Sequence, residues 1–507
     1  MRNLTGAVLI AAAPSALAQQ AETESGIAEQ LSFIVAAEEV QDRIDRKIVE
    51  HGVPSISVAA VKGDGEIWAY ASGLADKEAG RAATVDTPYR LASVSKPITA
   101  VAIMMLADRG VIDLDNPANA YLADQKITAP GGNADEVTVR QLMAHRGGLP
   151  LHYNLIHEGE DHKRRSLDET IAIYGKAMLP PGVTDRYSNV GYGVLERIIE
   201  VHSGKSYDHF LADELFEPLG MNSAGVVTAP VHPDGAAIPY TRSGERYRAY
   251  DMDTRGAGGI YMTASDLVRF GRFFSDALDG RSALLSREAA REMLEMQAPS
   301  QEGKLEYYVL GWVHELRGEE RQYDTIYHLG STPGVRAELW IYPDEDLIIA
   351  TQVNEMLYRA LNDAREAVIE AAMPGIAHRP YASRQSYRNY DVPSDLQMVW
   401  TGTIDIGTRA LIPVSFDFRN AAAPSVTIDG KTVAVWRVSR NDDGIVTVNT
   451  SAIPIPTEDS SRQPYDLGFQ LSNQEARLFG YVSTNRIATR ERDSGSFAYA
   501  VELQPLE

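Results

Sequence analysis

Between Leu91 and Gly110 the chain reads LASVSKPITAVAIMMLADRG, and from Ile98 to Leu106 it is apolar on nearly every side. Such a run predicts a helix enclosed by protein rather than one lying on a surface. Pro97 falls in or just past its first turn, where a missing N–H is tolerated, and Gly110 is a natural stop. Upstream, helical spacing over Leu31 to His51 predicts a helix ending at Gly52. Pro54 to Val61 and Glu66 to Ser72, separated by Gly63-Asp64-Gly65, predict a β-hairpin.

Downstream, the periodicity predicts helices at Val139 to Ala144, Gly191 to His202, Ser265 to Phe274 and Arg359 to Met373. Tyr308 to Glu315, Ile326 to Leu329, Ala337 to Tyr342 and Leu347 to Val353 predict consecutive antiparallel strands. Arg255 to Ile260 (RGAGGI) is a glycine-rich bend without the lysine of a phosphate loop, so backbone packing explains it. The pattern then changes. Ile376 to Pro393 reads as a linker, and beyond it short alternating segments follow without helices: Gly402 to Ile406, Ile412 to Phe418, Ser425 to Ile428, Val433 to Val438, Ile445 to Thr450, Asp466 to Leu471, Ala476 to Val482 and Phe497 to Leu503. Hairpin turns at Asp429-Gly430 and Asp443-Gly444 support a second domain that is a small β-barrel or sandwich.

Composition narrows the function. A formal charge of −22 without a basic stripe argues against nucleic acid and anionic membrane surfaces. Zero cysteines remove disulfides and thiolate metal sites. Met1-Arg2-Asn3, the apolar stretch Leu4 to Ala13 and Ala16-Leu17-Ala18 together read as a secretory signal peptide cut after Ala18, which places the protein in the periplasm or medium. The domain expectation is therefore a signal peptide (1–18), a main domain (30–375), a linker (376–393) and a C-terminal β-domain (394–507).

Ser93 opens the apolar helix and Lys96 follows three residues later, on the same face. A serine hydroxyl becomes nucleophilic when a base takes its proton, and a lysine serves as that base only where burial keeps it neutral. The helix start also offers N–H groups to an oxyanion. Tyr187 and Asn189, two apart on a turn, can face one cavity. His145, His152, His157 and His162 match no zinc signature, so no metal or cofactor is expected, and Leu151 to Arg165 reads as a solvated loop at the mouth of the site.

Ser93-x-x-Lys96, then Tyr187-x-Asn189, then His328-Leu329-Gly330, in that order and within matching text such as VTVRQLMAHRGGLP and HLGSTPGVRAELWIYPDEDLIIATQVN, resemble the serine β-lactamase and penicillin-binding-protein superfamily, class C-like branch. The resemblance implies an α/β sandwich of an antiparallel sheet flanked by helices, with an inserted helical lobe from about Leu106 to Ala236. It also implies an acyl-enzyme on Ser93, with Lys96 and Tyr187 sharing protons and a cationic Lys96 lowering the phenol's pKa. Asn189 would orient the substrate, Ser93 and Ser331 would give oxyanion N–H groups, and Gly330 would let substrate lie along the strand. The pattern's usual lysine is here His328, which disfavours a β-lactamase and favours ester or peptide substrates. Arg336 could supply a cation instead, though its place before the next strand reads as surface. The expected activity is a peptidase or amidase on small peptides, D-residue or linearised cyclic ones included. Alternatives are a carboxylesterase, a β-lactamase or slow penicillin-binding protein, and a binding protein that acylates without turnover. Substrate is the one partner expected.

Overall fold

The structure is a computed structural model that describes residues 38–506 except 131, 160–164, 298–305, 317–323, 374–388, 391, 406–410, 442–443, 454–464, 475–476 and 486–494. The signal-peptide segment and most of the linker lie outside the described residues.

An eight-stranded antiparallel sheet organises the main domain. Its order is Arg81–Ala82, Trp68–Asp76, Ser55–Lys62, Leu347–Val353, Val335–Tyr342, Thr325–Thr332, Val313–Glu315 and Glu306–Tyr308. The N-terminal hairpin therefore pairs with the last strand of the domain, Ile56 opposite Val353, so the two ends of the fold close on each other. Alternation puts Ala337, Leu339 and Ile341 on one face, against the nucleophile helix (Ser95–Asp108) and the helix Ala264–Leu278, and Trp340 and Tyr342 on the other, against 38–51 and Tyr358–Ala372. Every residue from Ser95 to Leu106 is buried, as the apolar run predicts.

The predicted strand Tyr308 to Glu315 is instead two short strands, Glu306–Tyr308 and Val313–Glu315. The break is at Gly311, whose φ of +89° suits glycine and where an added Cβ would lie 2.3 Å from the Cβ of Ala100 on the nucleophile helix. Close packing of strand on helix overrides the local β pattern there.

The last eight strands, Val399–Asp405 through Gly495–Pro505, pair in sequence, and the first pairs with the last, Gly402 opposite Leu503. The alternating segments thus form a closed barrel rather than a sandwich. The barrel joins the main domain: Gly495 and Ser496 pair with Asn154 and Tyr153 of the strand Tyr153–His157, which pairs in turn with Tyr250–Met252. Ile445 and Tyr481 of the barrel also pack on Met178 and Leu179 in the helical lobe, just ahead of Tyr187.

Candidate active site

Ser93 sits in a 3₁₀ turn, Ala92–Val94, that runs directly into the nucleophile helix. Ala92 adopts a left-handed φ of +50°, unfavourable for a residue with a Cβ, and this bend lifts Ser93 away from the helix so that it alone of Leu91 to Lys96 is partly exposed. Ser95 is buried and accepts a hydrogen bond from the Ile260 N–H at 3.2 Å, which gives the neighbouring serine a structural task.

Lys96 is fully buried. Its Nζ donates to Asn189 Oδ1 at 2.7 Å and to the Ala257 carbonyl at 2.8 Å, and lies 3.3 Å from Ser93 Oγ. None of these partners is anionic, and desolvation holds the amine well below its ordinary pKa. A neutral amine has two N–H bonds and one lone pair. The two carbonyl oxygens consume both N–H groups, so the lone pair faces the Ser93 hydroxyl. The glycine-rich bend anchors this arrangement: Thr99 Oγ1 donates to the Gly256 carbonyl at 2.7 Å and the Gly256 N–H donates to buried Glu196 at 2.8 Å, which fixes the Ala257 carbonyl. Packing explains the glycines, but the role of the Ala257 carbonyl has no signal in the sequence.

Tyr187 hydrogen-bonds Ser93, and its ring lies beneath Lys96, whose Nζ is 4.6 Å from the ring centroid. Its phenol is pushed well above the ordinary value by desolvation, with Tyr308 nearby adding to the effect. The expectation that a cationic lysine lowers this pKa is therefore reversed: burial keeps the amine and the phenol neutral together.

The turn bearing Tyr187 is clamped from three sides. His145, with φ +58°, accepts the Ser188 N–H on Nδ1 at 3.1 Å and the Arg186 N–H on its carbonyl at 2.7 Å, and its ring lies 4.3 Å from that of Tyr187. Buried Arg146 bonds Asp185 and the Gly182 carbonyl. The Ser188 hydroxyl caps the helix Asn189–Ser203 by accepting from Gly191 N–H and donates to the Pro150 carbonyl. Asn189 Oδ1, expected to face substrate, is taken by Lys96.

His328 and Gly330 lie on Thr325–Thr332. His328 is buried, its Nδ1–H donates to the Leu329 carbonyl at 2.9 Å, and desolvation pushes its pKa down to about 3. It is neutral at physiological pH. Gly330 packs so closely on the nucleophile turn that an added Cβ would be 2.1 Å from the Leu91 carbonyl oxygen. The strand Val313–Glu315 pairs only with Thr325 to Tyr327, which leaves the edge from His328 to Thr332 without a strand partner among the described residues. Tyr308 completes the wall, 5.9 Å from Tyr187 and 6.3 Å from His328 by ring centroid; nothing in its sequence context marks it.

Two expectations are corrected. Leu151 to Arg165 is not a solvated loop over its described part: Tyr153–His157 is a strand, and His152 and His157 are buried, His152 Nε2 lying 2.8 Å from Asp253 Oδ2 and its ring stacked on Tyr174. Pairing with the barrel, over three hundred residues away in sequence, makes this strand. Arg336 is not a surface residue; it is 9% exposed and stacks on Tyr358. No cluster of histidines and carboxylates able to hold a metal occurs among the described residues, and no described helix is long and apolar enough to cross a membrane.

The family model described as Beta-lactamase matches residues 38–373. Penicillin-binding protein 4 of Amycolatopsis lactamdurans is 32% identical over 287 residues, 54% of this chain and 73% of that protein. Esterase EstB of Burkholderia gladioli is 35% identical over 197 residues, 36% of this chain and 50% of that protein. The solved D-amino acid amidase of Ochrobactrum anthropi SV3 with D-phenylalanine aligns with a TM-score of 0.54 at 25% identity, over 66% of this chain and 98% of that one. With the sheet, helices and Ser93–Lys96 arrangement described above, the chain belongs to the β-lactamase family of serine hydrolases.

Proposed function

We propose that this serine hydrolase is an amidase or peptidase for small peptides and amino acid amides, D-residues included, working through an acyl-enzyme on Ser93. The observation that carries the reading is the place of the buried Lys96 Nζ, 3.3 Å from Ser93 Oγ while it donates to Asn189 Oδ1 and the Ala257 carbonyl; with desolvation holding the amine well below its ordinary pKa, its lone pair is left to take the Ser93 proton. Ser93 Oγ attacks the amide carbon as its proton passes to Lys96. The resulting oxyanion is received by the N–H groups of Ser93 and Ser331, each worth about 3 kcal/mol. Tyr187, a phenol that keeps its proton, donates it to the departing amine and is reprotonated from the Lys96 ammonium. Water then reverses the relay: it loses a proton through Tyr187 to Lys96, attacks the acyl carbon, and Ser93 regains its hydrogen as the acid leaves.

The similarity to a D-amino acid amidase favours the amide reading, and a neutral His328 disfavours β-lactams, which need a cation for their carboxylate. An esterase is the second reading, favoured by the similarity to esterase EstB. Export to the periplasm or medium is part of the proposal and rests on the leader-like segment 1–18.

A panel of D- and L-amino acid amides, short peptides, p-nitrophenyl butyrate and one chromogenic cephalosporin tests this. The expected result is turnover of amides and of the ester, with kcat/KM for the cephalosporin lower by about a hundredfold or more, the scale of losing one well-placed charged hydrogen bond. Ester turnover with no amide cleaved would leave the esterase reading standing in its place.

A further inference from the structure

The two proposed oxyanion donors, the N–H groups of Ser93 and Ser331, sit on separate elements: Ser93 on the turn Ala92–Val94 and Ser331 on the strand Thr325–Thr332. Their spacing is set by whatever ties those elements together. Gly330 against the Leu91 carbonyl is one tie. Tyr250, at the start of the strand Tyr250–Met252, is another. Its hydroxyl donates to Thr332 Oγ1 at 2.7 Å and lies 3.4 Å from the Pro333 carbonyl oxygen, so it grips the residue next to Ser331. Strand alternation puts Thr332 on the same sheet face as Gly330, the face packed on the nucleophile turn.

The same tyrosine reaches the other donor through Arg90, three residues ahead of Ser93. The Arg90 guanidinium carbon lies 4.2 Å from the centre of the Tyr250 ring, and its Nη2 donates to the Tyr250 carbonyl at 2.6 Å. A cation over the ring face restrains the ring, and with it the direction of the hydroxyl. Desolvation holds the phenol above its ordinary pKa, so it keeps the proton it donates. Tyr250 is 1% exposed, which leaves it no surface for a substrate. Its backbone is fixed as well: Tyr250 pairs with His157 of the strand Tyr153–His157, whose other end pairs with the barrel. The chain leading into Tyr250 also packs on the turn beyond Thr332, where a Cβ added to Gly334 would lie 2.6 Å from both Pro239 Cβ and Tyr247 Cδ2.

We propose that Tyr250 is a positioning residue for the oxyanion hole, setting the place of the Ser331 N–H relative to that of Ser93 through the Thr332 hydroxyl on one side and Arg90 on the other. The proposal rests on the reading of those two N–H groups as oxyanion donors, and it gives the barrel a task as the layer behind Tyr250. An oxyanion is stabilised most when both donors stand at hydrogen-bond distance before it forms, so a buried residue that fixes their spacing acts on the rate without touching the reacting atoms.

The test compares p-nitrophenyl butyrate with its thiono analogue, in which sulfur replaces the carbonyl oxygen. Sulfur is larger and a weaker hydrogen-bond acceptor, so a well-set oxyanion hole favours the oxygen ester, whereas loss of folded enzyme scales both rates alike and leaves their ratio unchanged. The ratio of kcat/KM values is measured for wild type, Tyr250→Phe, Thr332→Val, the double variant, Thr332→Ser and Tyr70→Phe. Tyr70 is the control because its hydroxyl donates to Asp45 at 2.8 Å on the opposite face of the sheet. Wild type should prefer the oxygen ester by about a hundredfold or more. Tyr250→Phe and Thr332→Val should each cut that preference by about 5- to 30-fold, and the double variant should cut it no further than either alone. Thr332→Ser, which keeps the acceptor, and Tyr70→Phe should stay within about twofold of wild type. An undiminished preference in Tyr250→Phe or Thr332→Val, additive losses in the double variant, or an equal loss in Tyr70→Phe would overturn the assignment while leaving the oxyanion reading in place. No turnover of the ester by wild type, or turnover without preference, would overturn that reading and this one with it.

Discussion

Ser93→Ala is expected to abolish turnover and fluorophosphonate labelling, and Lys96→Met to lower kcat by about 10³- to 10⁴-fold with the fold intact. Methionine keeps the length and the apolar stem of Lys96 and removes only the base. Wild-type kcat/KM should be level through neutral pH and fall on the acid side as Lys96 takes up a proton, far below the ordinary lysine range. Stability supplies a second signature. The native state leaves Lys96 unprotonated where the unfolded chain, with an ordinary lysine, binds a proton, so acid favours the unfolded state between those two pKa values. Lys96→Met lacks this contribution. Its stability relative to wild type should therefore be more favourable at pH 6 than at pH 10, measured by urea denaturation. A variant inactive at every pH because it is unfolded would show neither signature.

Gly330→Ala is expected to lower kcat by about 10²- to 10³-fold, while costing about 1–3 kcal/mol of stability. The added methyl would meet the Leu91 carbonyl oxygen, a backbone atom of the turn that carries Ser93, and side-chain rotation cannot relieve that contact. Either the strand or the nucleophile turn must move by an amount comparable to the tolerance of the oxyanion hole. KM should change less than kcat, because the distance disturbed is between the nucleophile and the Ser331 N–H. Removing the next neighbour with Val94→Ala, whose Cγ2 lies 3.2 Å from where that methyl would sit, should not restore activity. Restoration would place the clash in the side chains and not the backbone.

The features legible in the sequence are those set by near neighbours. The all-apolar run after Ser93 encodes a buried helix, the three-residue spacing encodes the Ser93–Lys96 contact, and alternation punctuated by Asp-Gly turns encodes the barrel strands. What the sequence hides depends on partners far along the chain. Tyr153–His157 is a strand because Tyr250–Met252 and the barrel offer it backbone partners. His145 clamps the Tyr187 turn through a left-handed backbone that no periodicity encodes. Arg336 reads as a surface residue at a strand entry because its burial comes from Tyr358 and the helix behind it. The phenol's pKa runs against expectation for a related reason: pairing it with a cation presumes a charged lysine, and burial removes that charge.

The central claim, a lysine uncharged at neutral pH with its lone pair on Ser93, is tested most directly by the ¹³Cε resonance of Lys96 in lysine-labelled protein, assigned by its absence in Lys96→Met. The account predicts a neutral-amine shift at pH 7 that moves to the ammonium position only on acidification. An ammonium shift at pH 7 that persists until the pH nears the ordinary lysine value would contradict it.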